Sequence, residues 1–239
     1  ALAEKHYGPI PPKPDAPRDA RPQEPEQRAE RRMTMTDPRV PQPVLTRSVI
    51  VPERNPGDQK TAAALTVLAE LLGGSPQTSF LGKRQVLTGQ ALGVGAWYDG
   101  LSVDPTTFAV TMAYAPGTDD AAAEAALDAA IRDFLAQGPD PAHLERVKTQ
   151  LRAARIYERD SAHGRAYDYG QGLAVGAGAA QAFAGHRGQA AQLFLKGVET
   201  NGDKSGIRGH HGLVEASQAL RVVGQVFEDG LAFAVVHHG

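Results

Sequence analysis

Residues 60–100 read KTAAALTVLAELLGGSPQTSFLGKRQVLTGQALGVGAWYDG, and this stretch decides the fold. Its first part predicts an amphipathic helix, because five apolar residues recur at helical spacing: Ala64, Leu65, Leu68, Leu71 and Leu72. Asp58 or Thr61 can cap this helix, and Gly73-Gly74 is interpreted as a stop with positive φ. A polar turn then leads to a short helical segment over 79–87, and 91–98 is typical of a strand. Burial of each leucine is worth roughly 1.5–3 kcal/mol, so we expect this unit to form the core.

The flanking segments predict an antiparallel or mixed sheet with helices on one face. Strand patterns occur at 32–35, 44–51 and 106–115, and Asp99-Gly100 marks a turn between two of the strands. In the last strand we expect one face to be formed by Phe108, Val110, Met112 and Tyr114. Asp119-Asp120 and Asp140-Pro141 predict helix starts, and Gly138 predicts a helix stop. A further helical segment is predicted over 162–174, so the fold class is α+β.

The composition excludes several functional classes. The net charge of −2 gives no reason to expect a nucleic-acid or anionic-membrane partner. Cysteine is absent, which removes disulfides and thiolate metal sites. No apolar run is long enough for a transmembrane helix. Because the first residue is Ala1 and no leader is visible, we expect a processed chain or a piece of a longer one.

Composition also divides the chain into four parts. Residues 1–12 resemble the end of a preceding domain. Residues 13–32 are rich in Pro and charged residues, and this composition favours a linker; a proline-rich ligand for a partner domain is the less favoured alternative. Residues 33–176 are expected to form the α+β domain. Residues 177–239 are rich in Gly, Ala and His, and only 213–227 there could form an amphipathic helix. We hypothesise that this divergent segment reflects an altered reading frame, which the encoding DNA would test.

The order of several short motifs resembles the second domain of zinc peptidases of the insulinase/pitrilysin type, which include mitochondrial processing peptidase. The resemblance covers about residues 1–176 and is carried by the following motifs: Tyr7-Gly8-Pro9-Ile10-Pro11, Val49-Ile50-Val51-Pro52, Leu68-Ala69-Glu70-Leu71-Leu72-Gly73-Gly74, Leu92-Gly93, Pro116-Gly117, Leu151-Arg152-Ala153-Ala154-Arg155-Ile156-Tyr157, Asp160-Ser161 and Tyr169-Gly170. It implies a non-catalytic C-terminal domain that forms half of a clamshell subunit, walls a peptide chamber and supports homo- or heterodimer assembly. A structural or scaffold member of the same fold and an unrelated α+β binding module remain alternatives.

The resemblance implies no catalytic or metal-binding residue in this chain, because the family's His-x-x-Glu-His motif is absent. Zinc is expected in the preceding domain or in a partner subunit, so this chain alone is expected to be inactive. His143 with Glu145, the pair His210-His211 with Glu215, and His237-His238 all lack zinc-ligand spacing, and we interpret His143 as a surface residue. Since bacterial relatives are often exported, a periplasmic location is favoured.

Some family members carry an arginine and, seven residues later, a tyrosine that hold the substrate backbone near the metal. Alignment on Leu92-Gly93 places these two positions at Leu87 and Val94. Neither side chain can donate a hydrogen bond or stabilise an oxyanion. In bacterial heterodimers of the family, the Arg/Tyr pair lies in the subunit that lacks zinc, so its absence here suggests by analogy a parent chain that carries zinc. A packing role in the core explains the identity of Leu87 and Val94 equally well.

Overall fold

The computed structural model describes residues 2–11, 29–54, 60–176 and 233–238. The linker predicted over 13–32, the cap at Asp58 and the helix predicted over 213–227 lie wholly or largely outside these residues. The described elements are five helices, one π-helical turn and five strands: α1 (Leu2–Tyr7), β1 (Arg31–Thr36), β2 (Val44–Val51), α2 (Lys60–Gly73), the π-helical turn (Gly82–Val86), β3 (Gly93–Tyr98), β4 (Thr106–Ala113), α3 (Asp120–Gln137), α4 (Pro141–Asp160), α5 (Ala162–Ala174) and β5 (Phe233–His238).

The strands form one sheet in the order β1-β5-β2-β4-β3. β2, β3 and β4 pair antiparallel, β5 pairs antiparallel with β2, and β1 pairs parallel with β5. The predicted α+β class with a mixed sheet is therefore confirmed. β1 begins at Arg31, two residues inside the predicted linker, and β5 lies in the segment for which the sequence predicted no strand.

Alternation along the strands places one face of the sheet against the helices. Phe108, Val110, Met112 and Tyr114 are all 1% exposed or less, as the period of two predicts. The same core takes in Leu45, Val49 and Val51 from β2 and apolar residues from α2, α3 and α4. The helices thus cover one face of the sheet.

The helix α2 is buried on nearly all sides, whereas the sequence predicted a single buried face. Besides the five predicted apolar residues, Ala62, Ala63 and Val67 are buried, because α2 lies between the sheet and α4. Gly73 also departs from the prediction, since its φ is not positive. A Cβ at Gly73 would lie 2.5 Å from Gly95 C and closer still to Ala96 N, so glycine is needed there for close approach to β3.

The ends of α3 and α4 follow the predicted capping chemistry. The Asp119 carboxylate accepts a hydrogen bond from Ala122 N at 3.1 Å, and the Asp140 carboxylate accepts one from Ala142 N at 3.0 Å. α3 ends at Gly138, whose φ of 72° requires glycine. On α4, Lys148 is 6% exposed, and its ammonium group donates to the carboxylate of Glu145 at 2.6 Å along the same helix.

Candidate functional site

The face of β2, β3 and β4 that lies opposite the helices is left uncovered by the described helices. We call it the open face and define it by eleven residues: Val44, Thr46, Ser48 and Ile50 of β2, Gly93, Gly95 and Trp97 of β3, and Thr107, Ala109, Thr111 and Ala113 of β4. Ten of the eleven are at least partly exposed, and none is charged. The open face is therefore uncharged on β2, β3 and β4, and by register the same side of the sheet continues over β5 to Arg31, Met33 and Met35 of β1.

A cross-strand contact pairs two of the hydroxyl groups on the open face. Thr46 and Thr111 lie opposite each other, and their hydroxyl oxygens are 3.3 Å apart. The Thr111 hydroxyl also lies 3.2 Å from the carbonyl oxygen of Leu45, to which it can donate. Trp97 lies opposite Ala109 and is 44% exposed. The indole is thus the most exposed large apolar group on β2, β3 and β4, while Met33 and Met35 on the same side of β1 are exposed to a similar degree.

The two positions that correspond to the family's arginine and tyrosine lie in different environments. Leu87 ends the π-helical turn and is 64% exposed, so the interpretation of Leu87 as a core residue is wrong. Val94 lies opposite Met112 and packs against the core. An aliphatic side chain at Val94 serves packing, while Leu87 adds an apolar group to the surface.

The histidines do not form a metal site in the part of the chain that the structure describes. His143 is 8% exposed, so its interpretation as a surface residue is wrong. Burial lowers the pKa of His143, the cations of Lys83 and Arg146 lower it further, and Asp140 opposes this shift. His210, His211 and Glu215 lie outside the described residues, and His237-His238 belong to β5.

Zinc, which the family resemblance implies, has no fitting donor set here. Among the described residues, no group of three or more His, Cys, Asp or Glu side chains is arranged to hold a metal ion. Zinc in proteins is normally held by three or four such donors. The described part of the chain therefore does not supply a zinc centre.

Sequence reasoning missed a cluster of charged residues on the inner side of the sheet. Arg47 of β2 donates to Asp128 at 2.8 Å, to Glu124 at 2.6 Å and to Glu30 at 2.9 Å. The second oxygen of Glu124 accepts from Arg32 of β1. Two features could have revealed the cluster: position 47 falls in the inward row of the alternation, and Glu124 and Asp128 are four residues apart on one helix face.

A second buried arginine lines a cleft of about 280 Å³ beside the end of β3. Arg54 is 4% exposed, and its guanidinium donates to Thr66 of α2 at 3.3 Å. Tyr98, also in the cleft, donates its hydroxyl to Pro52 O at 2.9 Å, and burial raises the pKa of Tyr98 to about 12. The Tyr98 hydrogen bond thus joins the end of β3 to the segment that follows β2, and the Arg54 hydrogen bond joins that segment to α2.

The family model described as "Peptidase M16 inactive domain" matches residues 1–151. The chain belongs to this family, which confirms the resemblance found in the motifs. No curated protein matches the chain.

Solved bacterial structures share the fold. A protease from Helicobacter pylori is 18% identical with a TM-score of 0.76, and the match covers 100% of this chain and 51% of that one. The first half of the periplasmic protease PqqL from Escherichia coli is 13% identical with a TM-score of 0.66, over 100% of this chain and 48% of that one. A peptidase M16 inactive domain from Pseudomonas fluorescens is 13% identical with a TM-score of 0.58, over 91% and 45%. This chain therefore spans about half the length of these relatives.

Proposed function

We propose that this chain is the non-catalytic half of a zinc metalloendopeptidase subunit and that its open face walls the peptide-binding chamber. The observation that carries the proposal is the face of β2, β3 and β4 that bears no charge and that no described helix covers, in a domain of a peptidase family whose described residues lack a metal centre. Hydrolysis is left to a catalytic domain of the same or a partner subunit. In the described residues, Leu87 and Val94 offer no donor to the substrate backbone at the two aligned positions.

The absence of cysteine makes the chamber role testable by site-specific crosslinking. A photo-crosslinker is attached to Thr111→Cys on the open face and, as a control, to Gln150→Cys on the exposed side of α4. With a biotin-labelled library of unstructured peptides, we expect capture at position 111 and little capture at position 150. Equal capture at both positions, or capture at 150 alone, would contradict a wall role for the open face.

We expect the purified chain to show no chelator-sensitive peptidase activity, because the chemistry is assigned to another domain. Chelator-sensitive cleavage that copurifies with the chain through several columns would falsify that assignment. The scaffold alternative also predicts an inactive chain, but it predicts a different sequence in the gene upstream of this chain. A His-x-x-Glu-His motif encoded upstream of Ala1 favours the peptidase, and a degraded motif favours the scaffold.

Assembly with a partner is the third part of the proposal. Large apolar side chains on α4 and α5 remain exposed: Ile156 at 64%, Tyr157 at 74%, Tyr167 at 58% and Leu173 at 60%. Such exposed groups are typical of surfaces that dock a second domain or subunit. Light scattering measures the mass in solution, and Tyr157→Ser should lower any dimer fraction if this surface is used.

An exported, periplasmic location is also proposed. Its support is the fold shared with the periplasmic protease PqqL. None of the described helices is long and apolar enough to cross a membrane. Fractionation of cells that express the natural gene tests the location directly.

A further inference from the structure

We propose that Met33 and Met35 of β1 form a reversible oxidation site, at which hydrogen peroxide converts both thioethers to sulfoxides while the domain stays folded. The inference is independent of the proposed chamber role. Three observations carry it: both side chains are exposed on one side of β1, the opposite side of β1 is held by an ion pair, and the third methionine of the chain is buried in the core.

The two methionines of β1 are the exposed sulfur groups of this protein. The chain contains three methionines and no cysteine, so the thioethers hold its only sulfur atoms. Met33 is 47% exposed and Met35 is 49% exposed, and because they are two residues apart in a strand they lie on the same side of β1. Oxidation of methionine requires that an oxidant in solution reaches the sulfur. Both thioethers of β1 meet this condition in the folded chain.

The third methionine lies in a different environment. Met112 of β4 is 1% exposed and belongs to the hydrophobic core, where it lies opposite Leu45 of β2 and Val94 of β3. Because protein cores are close-packed, a peroxide molecule reaches this sulfur only when the core opens. Met112 is therefore an internal reference that has the same chemistry without the exposure.

Contacts that do not involve the thioethers hold β1 in place. Arg32, on the side of β1 that faces α3, donates to the carboxylate of Glu124, and the other oxygen of Glu124 accepts from Arg47 at 2.6 Å. The main chain of β1 pairs with β5 along the length of the strand. An oxygen atom added to an exposed thioether on the other side of β1 disturbs neither contact. The fold should therefore tolerate a sulfoxide at these two positions, whereas a sulfoxide in the core disrupts packing.

The reaction balances with hydrogen peroxide as the oxidant. The sulfur attacks one peroxide oxygen, so an S–O bond forms as the O–O bond breaks. The attacked oxygen passes its proton to the other oxygen, which leaves as water, and the sulfur has lost two electrons. Methionine sulfoxide reductases reverse the step: two thiols supply the electrons and become a disulfide, and the oxygen leaves as water. The β1 margin of this side of the sheet thus changes from apolar to polar and back.

Peptide mapping of the full chain after brief exposure to dilute hydrogen peroxide tests the proposal. Trypsin cleaves after Arg32 and Arg39, so both exposed methionines fall in the peptide 33–39 and Met112 falls in another. We expect Met33 and Met35 to gain oxygen at least about tenfold faster than Met112 in the folded chain. In denaturing urea the three rates should converge, because burial is lost. Methionine sulfoxide reductases should then remove both oxygens from the refolded chain.

Variants separate the two kinds of methionine. The double variant Met33→Leu/Met35→Leu should gain no mass at a peroxide dose that adds two oxygens to the unaltered chain, and Met112→Leu should still gain two. Similar rates at all three methionines in the folded chain, or no oxidation at Met33 and Met35, overturn the proposal. A lower urea midpoint in chains oxidised only at these two residues also overturns it, as does failure of the reductases to restore the original mass.

Discussion

The guanidinium of Arg47 lies 2.8 Å from the carboxylate of Asp128, and this contact joins the inner face of β2 to α3. The Arg47 side chain is 9% exposed and also binds Glu124 and Glu30. A buried ion cluster of this kind is costly to break, because removal of one member leaves its partners charged and partly dehydrated.

We expect Arg47→Ala to lower the free energy of unfolding by about 3 kcal/mol, the lower end for a broken buried pair, since Asp128 and Glu30 are partly exposed. Urea denaturation measures the change. The control is Arg39→Ala, which removes an exposed arginine paired with Asp37 and should leave the free energy of unfolding nearly unchanged. An equal loss of unfolding free energy in the two variants would show that burial of the Arg47 cluster does not add to its effect on stability.

Gly73→Ala should destabilise the domain by about 1–3 kcal/mol, because the added methyl group would overlap the backbone of β3 at Gly95 and Ala96. Gly93→Ala is the matched change in open space and should be nearly neutral. Thermal unfolding of both variants tests the close approach of α2 to β3. A Gly73→Ala variant as stable as Gly93→Ala would contradict it.

Acid should weaken the domain through His143. Its pKa is lowered in the folded state, so the unfolded chain binds the proton more readily. The stability contributed by neutral His143 is therefore present above the ordinary histidine pKa of about 6.5 and is lost as the pH falls through the lowered value. His143→Gln should flatten the fall of the urea midpoint between neutral and mildly acidic pH. His163→Gln, at an exposed position of α5, should leave the slope unchanged.

A rise in pH above about 10 should destabilise the domain through Tyr98, because burial raises the pKa of Tyr98 to about 12. The neutral phenol is favoured in the folded state, so its contribution is complete below the ordinary pKa of about 10 and is lost as the pH rises towards 12. Burial also raises the pKa of Tyr114, so absorbance titration should show more than one late-titrating tyrosine, and Tyr98→Phe should remove one of them. That variant also loses the hydrogen bond to Pro52 O, so its urea midpoint at neutral pH should fall. An unchanged number of late-titrating phenolates in Tyr98→Phe would contradict a raised pKa at Tyr98.

Local patterns predicted most of the elements because each pattern had one clear physical cause. The caps at Asp119 and Asp140 and the alternation in β4 need only neighbouring residues, and all three were confirmed. Gly73 was assigned to a helix stop because glycine often has positive φ there. In the structure, glycine is needed at position 73 because the helix passes close to β3, a strand that begins twenty residues later in the sequence.

The inner charged cluster was missed for a similar reason. The partners of Arg47 on α3 are 77 and 81 residues distant, so no local pattern links them. His143 was misjudged because its burial comes from tertiary packing rather than from its place in the first turn of α4. The open face, by contrast, follows from alternation alone once β2, β3 and β4 are aligned.

The position of β5 bears on the order in which the sheet can form during synthesis. Within the described sheet, β1 pairs only with β5, and β5 separates it from β2. The ribosome makes residues 31–36 early and residues 233–238 about two hundred residues later, roughly 10–40 s at ordinary translation rates. Over that interval β1 has no strand beside it and one side of β2 is an unpaired edge, a state that favours proteolysis or association with other chains. Nascent chains stalled before Phe233 should therefore be cut by a protease near β1, and completed chains should resist.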